Sequence, residues 1–318
     1  MDRIKVCFIG IGSIAKRHIR NLHLLCRSRG LELHIDAFRQ KGGEVDGVER
    51  VYIDADNMPC DYDVIFITNP TDMHLHTLRK FHNKGKHFFI EKPVVVVSQI
   101  DEAYEFQLRQ ESVYYVACPL RYNAVIQYIK QNINPDDVIS VRSISSSYLP
   151  DWRLGQDYRD TYSAHKEMGG GVSIDLIHEW DYLTYLFEWP ENTQSFIGKK
   201  SSLEIDSDDY AIYIAEFANK IAELHLDYFG RKTIREIELF TKEETILGDI
   251  ANNKIMFLRS GEVFDFHEER DDYQRRELEH FLDMVEGKVQ NEDGYYHGLK
   301  VLEPVSYTHL TLPTNSRV

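Results

Sequence analysis

The sequence predicts an α/β chain in two parts: a doubly wound parallel sheet over residues 1–119, then an α+β domain with an open, mainly antiparallel sheet over residues 120–304. Three observations predict it. Short apolar runs alternate with helical patterns up to about residue 120, the rhythm of repeated βαβ units. The first run, IKVCFI at residues 4–9, ends directly in glycines that open a helix. After Pro119 the alternation stops, and longer strand-like segments with short polar turns take over, the pattern of antiparallel hairpins.

The helix after the first glycines runs through Leu25 and leads to LELHIDAF (31–38), which closes the first βαβ unit. YDVIFIT (62–68) is the next strand, a helix follows near 72–84, and KHFFIE (86–91) is the strand after it. Ser98, with Asp101 three residues on, opens another helix, and VYYVACP (113–119) ends the parallel set. The second domain begins with a helix around 122–132 and the strand VISVRSISSSYL (138–149). A long polar and aromatic loop, a glycine-opened helix and strands from 208 to 266 complete it, with turns at Asn219-Lys220 and near Lys242-Glu243.

A chain of 318 residues with 42% hydrophobic and 12% aromatic residues buries a full core. Its formal charge of -15 gives no electrostatic footprint for nucleic acid or an anionic membrane, so the expected partner is a small molecule. No apolar run reaches the roughly 18 residues of a membrane span, and the start is too short and wrongly flanked for a signal peptide. A cytoplasmic location is expected. Cys7, Cys26, Cys60 and Cys118 are widely spaced, which reads as buried free thiols rather than disulfides or a metal centre. The segment VSYTHLTLPT (305–314) is what one reading frame of a transposase-type sequencing adapter encodes, so residues 305–318 are expected to be an artefact.

Gly10-x-Gly12-x-x-Ala15 sits between the first strand and the first helix. Glycines there let the backbone approach a pyrophosphate, and the helix N-terminus supplies free N–H groups and a positive dipole end. In this context the motif predicts a dinucleotide-binding Rossmann domain. NAD enzymes carry an acid at the end of the second strand, to hold the ribose hydroxyls. Here the strand ends at Phe38, followed by Arg39 and, nearby, Lys41. A cation in place of an acid fits the 2'-phosphate of NADP better than NAD, with Asp36 as the ribose acid if the register is shifted.

In the helix after Gly169-Gly170-Gly171, Val172, Leu176, Trp180, Leu183 and Phe187 form an apolar stripe. Asp175, His178 and Tyr182 fall together on another face, where acid–base groups can meet a pocket. Between this helix and the strand ending at Leu149 lie nearly twenty residues without apolar periodicity, PDWRLGQDYRDTYSAHKEM, and such loops are usually functional.

These motifs resemble the glucose-fructose oxidoreductase / inositol dehydrogenase / rhizopine catabolism family of oxidoreductases. The resemblance is carried by the glycine loop, His18 with Asn21-Leu22, TNPTDMH (68–74), EKP (91–93), RYN (121–123) and GGGVSIDLIHEWD (169–181), in that order and spacing. It covers nearly the whole chain to Pro304. It implies cofactor contacts from Gly10, Gly12, Ser13, Ile14, Ala15, Thr68, Asn69, Pro70, His74, Glu91 and Lys92, beside Arg39. It also implies that Lys92 reaches the substrate hydroxyl near the nicotinamide, and that Pro93 fixes the turn, often through a cis peptide. A lysine suits this place because its ammonium stabilises a developing alkoxide.

The family pattern separates Asp and His by four residues. Here Asp175 and His178 are three apart, and Glu179 holds the fourth position. His178 keeps the His-x-x-Asp spacing to Asp181 and takes the histidine role, with Asp175 orienting; the competing reading is a histidine hydrogen-bonded at a domain seam. Arg121 and Tyr122 are expected on the substrate side. So are Trp152, Tyr158 and Tyr162 as stacking surfaces for a sugar ring, and Arg153 and Arg159 as holders of a carboxylate or phosphate. The competing reading of this loop is an arm that packs on a neighbouring subunit.

The expected activity is hydride transfer between NADP or NAD and a carbinol carbon of a sugar or nucleotide sugar, in a homo-oligomer (dimer or tetramer). The segment DLIHEWDY is similar to relatives associated with bacterial surface-sugar and sialic-acid-like pathways. Two alternatives stand beside it: a non-catalytic sugar sensor, against which the presence of both Lys92 and His178 counts, and a reductase of a non-sugar imine or aldehyde.

Overall fold

The computed structural model describes residues 2–291 and 294–306. The chain forms two compact units, one from residues 1–122 and 269–300, the other from 123–268 and the residues from 301 on.

The first unit is built from β1 (Arg3–Ile9), α1 (Ser13–Arg29), β2 (Glu32–Phe38), β3 (Arg50–Tyr52), β4 (Tyr62–Ile67), α2 (His74–Phe81), β5 (Gly85–Ile90), α3 (Ile100–Tyr104) and β6 (Tyr114–Val116). All six strands run parallel in the order β3-β2-β1-β4-β5-β6. The order reverses between β1 and β4, the switch point outside which ligands bind in such sheets. Helices on both faces demand apolar residues on both sides of the central strands, and Val64, Ile65, Phe66 and Ile67 are all fully buried. On α1, Ala15, Ile19, Leu22 and Cys26 repeat at helical spacing and are buried together, and Gly30 ends the helix in a left-handed conformation with φ 69°.

Local departures from the sequence reading have local causes. β3, RVY, is too short to show a period. α2 follows a separate 3-10 turn at Thr71–Met73, and α3 is five residues long, its entry uncapped because Ser98 lies inside a preceding 3-10 turn. Cys7, Cys26 and Cys118 are buried free thiols, but Cys60 is exposed.

The second unit contains α4 (Ala124–Asn132), β7 (Val138–Tyr148), α5 (Val172–Asp175), α6 (His178–Phe187), β8 (Asn192–Gly198), β9 (Tyr210–Phe217), β10 (Lys220–Asp227), β11 (Phe229–Thr241), β12 (Thr245–Asp249), β13 (Lys254–Phe257) and β14 (Val263–Asp265). Its strands lie in the order β14-β13-β12-β11-β7-β10-β9-β8, antiparallel except for β7 with β10. Phe217 pairs with Lys220, so the first hairpin turns on Ala218-Asn219, one residue earlier than expected. One face meets α6, through Ser143 against Tyr182 and Tyr213 against Trp180. On the other face Arg142 lies between Glu223 and Glu238, among exposed Phe196 and Ile221.

The remaining helices are α7 (Arg270–Val285) and α8 (Tyr295–Ser306). The sequence reading assigned residues 120–304 to the second domain. Instead α7 belongs to the first unit: Arg20 pairs with Asp271 and Arg29 with Asp283, and the Phe281 ring packs on Phe66 and Phe89. Its apolar residues match the side of α1 and the sheet, a complementarity between segments too distant to read from local periodicity. Of the expected artefact at 305–318, Val305 and Ser306 end α8, and 307–318 lie outside the described residues. No helix among the described residues is long and apolar enough to cross a membrane.

Three histidines of the first unit make its stability pH-dependent. Burial holds His74, His82 and His87 below the ordinary imidazole value, and His87 Nδ1 accepts from Val113 N at 3.1 Å, which requires the neutral ring. As pH falls below about 6.5 the unfolded chain binds these protons first, so stability is lost on acidification. The melting temperature is expected to fall by a few degrees between about pH 7 and about pH 5.5, and His87→Asn to flatten that slope. A wild-type melting temperature constant over this range contradicts the account.

Candidate active site

The turn after β1 is built by two glycines with different tasks. Gly10 has φ 90°, and a Cβ there would come within 2.8 Å of Asn69 Cα. The loops after β1 and β4 therefore touch, tied by Thr68 Oγ1 donating to Gly10 O at 2.8 Å. Gly12 has extended backbone, and a Cβ on it would meet nothing within 4 Å. It is the N-cap of the 17-residue α1, and no side chain caps the helix. The first-turn N–H groups of Ser13, Ile14 and Ala15, with the positive end of the helix dipole, thus face space that packing does not require to be clear. That arrangement fits the pyrophosphate of a dinucleotide.

Arg39 follows the end of β2 and donates to Gly42 O at 2.6 Å, while its buried Nε has no partner among the described residues. Asp36 is not the ribose acid: it pairs with Cys7 in the register, is buried and accepts the Tyr62 hydroxyl at 2.7 Å. Asn69 donates to Thr77 Oγ1 at 2.7 Å, and Pro70 is exposed beside it.

At the end of β5, Glu91 N donates to Ile67 O, and the Lys92–Pro93 bond is cis. Two histidines clamp this turn. His18 Nε2, on α1, lies 2.6 Å from Glu91 Oε1. His74, which opens α2, faces Pro93 O at 3.0 Å with Nδ1 and Asn69 O at 2.9 Å with Nε2. Burial raises the Glu91 carboxyl, but the His18 hydrogen bond and the charge of Lys92 outweigh it, leaving the group below its usual value. Half-buried Lys92 thus stands on a rigid turn beside a carboxylate.

Two side chains of the expected cofactor set have partners within the chain itself. His74 is 2% exposed with both ring nitrogens engaged by the chain itself, and the Glu91 carboxylate belongs to His18. Arg121 also departs from expectation: it is 4% exposed and its guanidinium meets His297 Nε2 at 2.5 Å. Tyr122, whose carbonyl accepts from Arg276, has a hydroxyl raised by burial and by Cys118, so it too serves the interior.

In the second unit the triple glycine is a packing device. A Cβ at Gly170 would lie 2.0 Å from Tyr162 O, and one at Gly171, which has φ 132°, would lie 2.2 Å from Asp208 Oδ1. Asp208 also accepts from Ser173 N at 2.9 Å, and burial raises its carboxyl. The helix expected here is broken: α5 ends at Asp175, and α6 starts at His178 after Leu176 and Ile177. The common face of Asp175, His178 and Tyr182 is therefore not kept. Tyr182 is buried with its hydroxyl 2.5 Å from Ser143 Oγ, and His178 is half-buried at the first position of α6. Glu179 is fully buried and meets Arg235 Nε at 2.7 Å, which makes it part of the core.

Asp175 is the centre of a polar and aromatic cluster. Tyr228 donates to its Oδ2 at 2.6 Å, and Tyr162 hydrogen-bonds to it as well. Burial first, then the Asp175 charge, pushes both hydroxyls up, so both remain protonated donors. Trp152 packs edge-on against Tyr228 at 5.2 Å, and the Arg153 guanidinium lies 5.2 Å from the Tyr162 ring centre. Tyr158 and Arg159 stand apart. The Tyr158 hydroxyl accepts from Glu204 N, and Arg159 is held by Asp157 and Glu204. Sequence reasoning missed Tyr228 and Asp208; the alternation Leu224, Leu226, Tyr228 along and just past β10 was the signal for the first.

A nucleotide cradle at the switch point of a parallel sheet, with a clamped lysine at the end of a neighbouring strand, defines a dinucleotide-dependent oxidoreductase. Residues 4–118 match the model of the oxidoreductase family with an NAD-binding Rossmann fold, and residues 130–306 match that family's C-terminal alpha/beta domain. The chain belongs to this family, whose names are glucose-fructose oxidoreductase, inositol dehydrogenase and rhizopine catabolism, and it is an NAD(P)-dependent oxidoreductase with an NAD-binding Rossmann fold.

Solved structures with the same fold include levoglucosan dehydrogenase in complex with NADH (TM-score 0.82, 16% identity, 96% of this chain and 95% of that one). UDP-N-acetylglucosamine 3-dehydrogenase GnnA from Acidithiobacillus ferrooxidans has TM-score 0.72 and 18% identity, with 95% of each chain covered. The WlbA dehydrogenase from Bordetella pertussis, in complex with NADH and UDP-GlcNAcA, has TM-score 0.74 and 16% identity over 96% of this chain and 94% of that one. Comparison with curated protein sequences finds no match.

Proposed function

We propose that this oxidoreductase acts on a carbinol carbon of a sugar or nucleotide-activated sugar. The observation that carries the reading is Lys92, held at the carboxyl end of a central parallel strand where doubly wound sheets bind ligands. When bound, the nicotinamide supplies the hydride acceptor or donor. The first turn of α1 holds the pyrophosphate, and Lys92 stabilises the alkoxide that forms as the carbinol is oxidised. His178 takes the hydroxyl proton, while Asp175, fixed by Tyr228 and Tyr162, orients the substrate hydroxyls. Trp152 and Tyr162 offer ring surfaces, and Arg153 an anion contact. The names of the NADH- and UDP-sugar-bound structures support this substrate class. The exposed apolar residues on the outer sheet face support a homo-oligomer formed there.

Spectrophotometric turnover of NAD and NADP against a panel of free and nucleotide-linked sugars tests the reading. Turnover of at least one sugar is expected; cofactor binding without turnover of any favours a sensor. NADP is the expected preference, because a cation, Arg39, follows the end of β2 where NAD enzymes carry an acid. Arg39→Ala is expected to weaken NADP by roughly ten- to a hundredfold and to leave NAD nearly unchanged. Equal losses for both cofactors, or tighter binding of NAD by the wild type, reject the reading of Arg39 as a 2'-phosphate contact.

A further inference from the structure

We propose that His18 and Glu91 form a positioning pair for Lys92: His18 anchors the Glu91 carboxylate to α1, and the anchored negative charge keeps the adjacent lysine oriented and protonated. The inference rests on the assignment of Lys92 to proton handling.

The contact itself is short and sheltered, with His18 1% exposed and its Nε2 2.6 Å from Glu91 Oε1. His18 Nδ1 is buried and has no partner among the described residues. A proton there would have no acceptor, so the single proton of the neutral ring belongs on Nε2, donated to the carboxylate.

The titratable groups acting on Glu91 are His18 from α1, Lys92 on its own turn and His74 from α2. Burial holds His74 below the ordinary imidazole value, and its neutral ring donates to one of the two carbonyls that its nitrogens face, those of Pro93 and Asn69. It fixes the far side of the turn without opposing the charge. His18 lies on the same helix whose capless N-terminus follows Gly12, so one rigid element sets both the phosphate contact and the peptide leading into Lys92. A displacement of α1 moves both together, which keeps their spacing constant.

The two halves of the proposal separate in two variants. Glu91→Gln keeps the acceptor for His18 but removes the charge. The Lys92 pKa, read by NMR of isotopically dimethylated lysines and assigned with Lys92→Arg, is expected to fall by about one unit. The alkaline limb of the turnover profile should move to lower pH with it. His18→Ala is expected to lower kcat about ten- to a hundredfold with NADH affinity within about twofold. His18→Gln, whose amide reaches the place of Nε2, should recover much of that loss. An unshifted Lys92 resonance in Glu91→Gln, or a His18→Gln no better than His18→Ala, overturns the pair's role. The NMR measurement does not depend on Lys92 being catalytic, so full activity of Lys92→Ala would reject that assignment separately.

Discussion

Lys92→Ala is expected to lose about 10² to 10⁴ in turnover while NADH affinity, measured by fluorescence, stays within a few-fold. The lysine stands on a turn held by His18 on one side and His74 on the other, so its removal leaves that clamp in place while it deletes the charge that, in the proposed reaction, meets the developing alkoxide. His178→Ala is expected to fall by a similar factor. Glu179 provides the contrast. Because it is fully buried against Arg235, Glu179→Gln should appear chiefly as a lowered melting temperature, with kcat of the folded fraction close to wild type. A stable Glu179→Gln with collapsed kcat, beside a healthy His178→Ala, would transfer the proton-handling role to the glutamate.

The second large effect separates the two glycines of the nucleotide turn. Gly12→Ala places a methyl group in space that nothing in the chain occupies, on backbone any residue adopts. The protein should fold with little change in melting temperature and bind NADH about ten- to a hundredfold more weakly, as the methyl intrudes on the pyrophosphate. Gly10→Ala is the opposite case. Its left-handed backbone and the 2.8 Å approach to Asn69 Cα are internal to the fold, so it is expected to cost about 2 to 4 kcal/mol of stability. Unchanged NADH affinity in a stable Gly12→Ala protein would remove the pyrophosphate from the head of α1.

What the sequence disclosed follows from what is local. The parallel strands were legible because burial on both faces leaves them nearly all apolar, and the nucleotide turn because two glycines at fixed spacing follow a strand. The break between Asp175 and His178 was not legible. Val172 to Phe187 keeps an uninterrupted helical apolar spacing, so nothing local marks Leu176 and Ile177 as the point where the helix is interrupted. For the same reason Arg159 looked like Arg153 in sequence. Only the fold shows one arginine spent on Asp157 and Glu204 and the other stacked beside the partner of Asp175. His74 sits in a motif that suggested ligand contact, and only the fold shows it buried with its ring nitrogens facing the carbonyls of Pro93 and Asn69.

The return of α7 to the first unit bears on the order in which the chain acquires its structure during synthesis. Leu278, Phe281 and Leu282 complete the same core as Phe66, Phe89 and Tyr115, and buried Glu277 receives Cys118 N at 2.6 Å and the Tyr115 hydroxyl at 3.1 Å. On a ribosome those earlier residues emerge long before their cover, with the whole sheet from β7 to β14 translated in between. The nucleotide-binding half therefore waits, with an aromatic flank uncovered, until the inserted half has been made. The vectorial rule that N-terminal domains finish first is suspended here, and a chaperone has its longest opportunity during that interval.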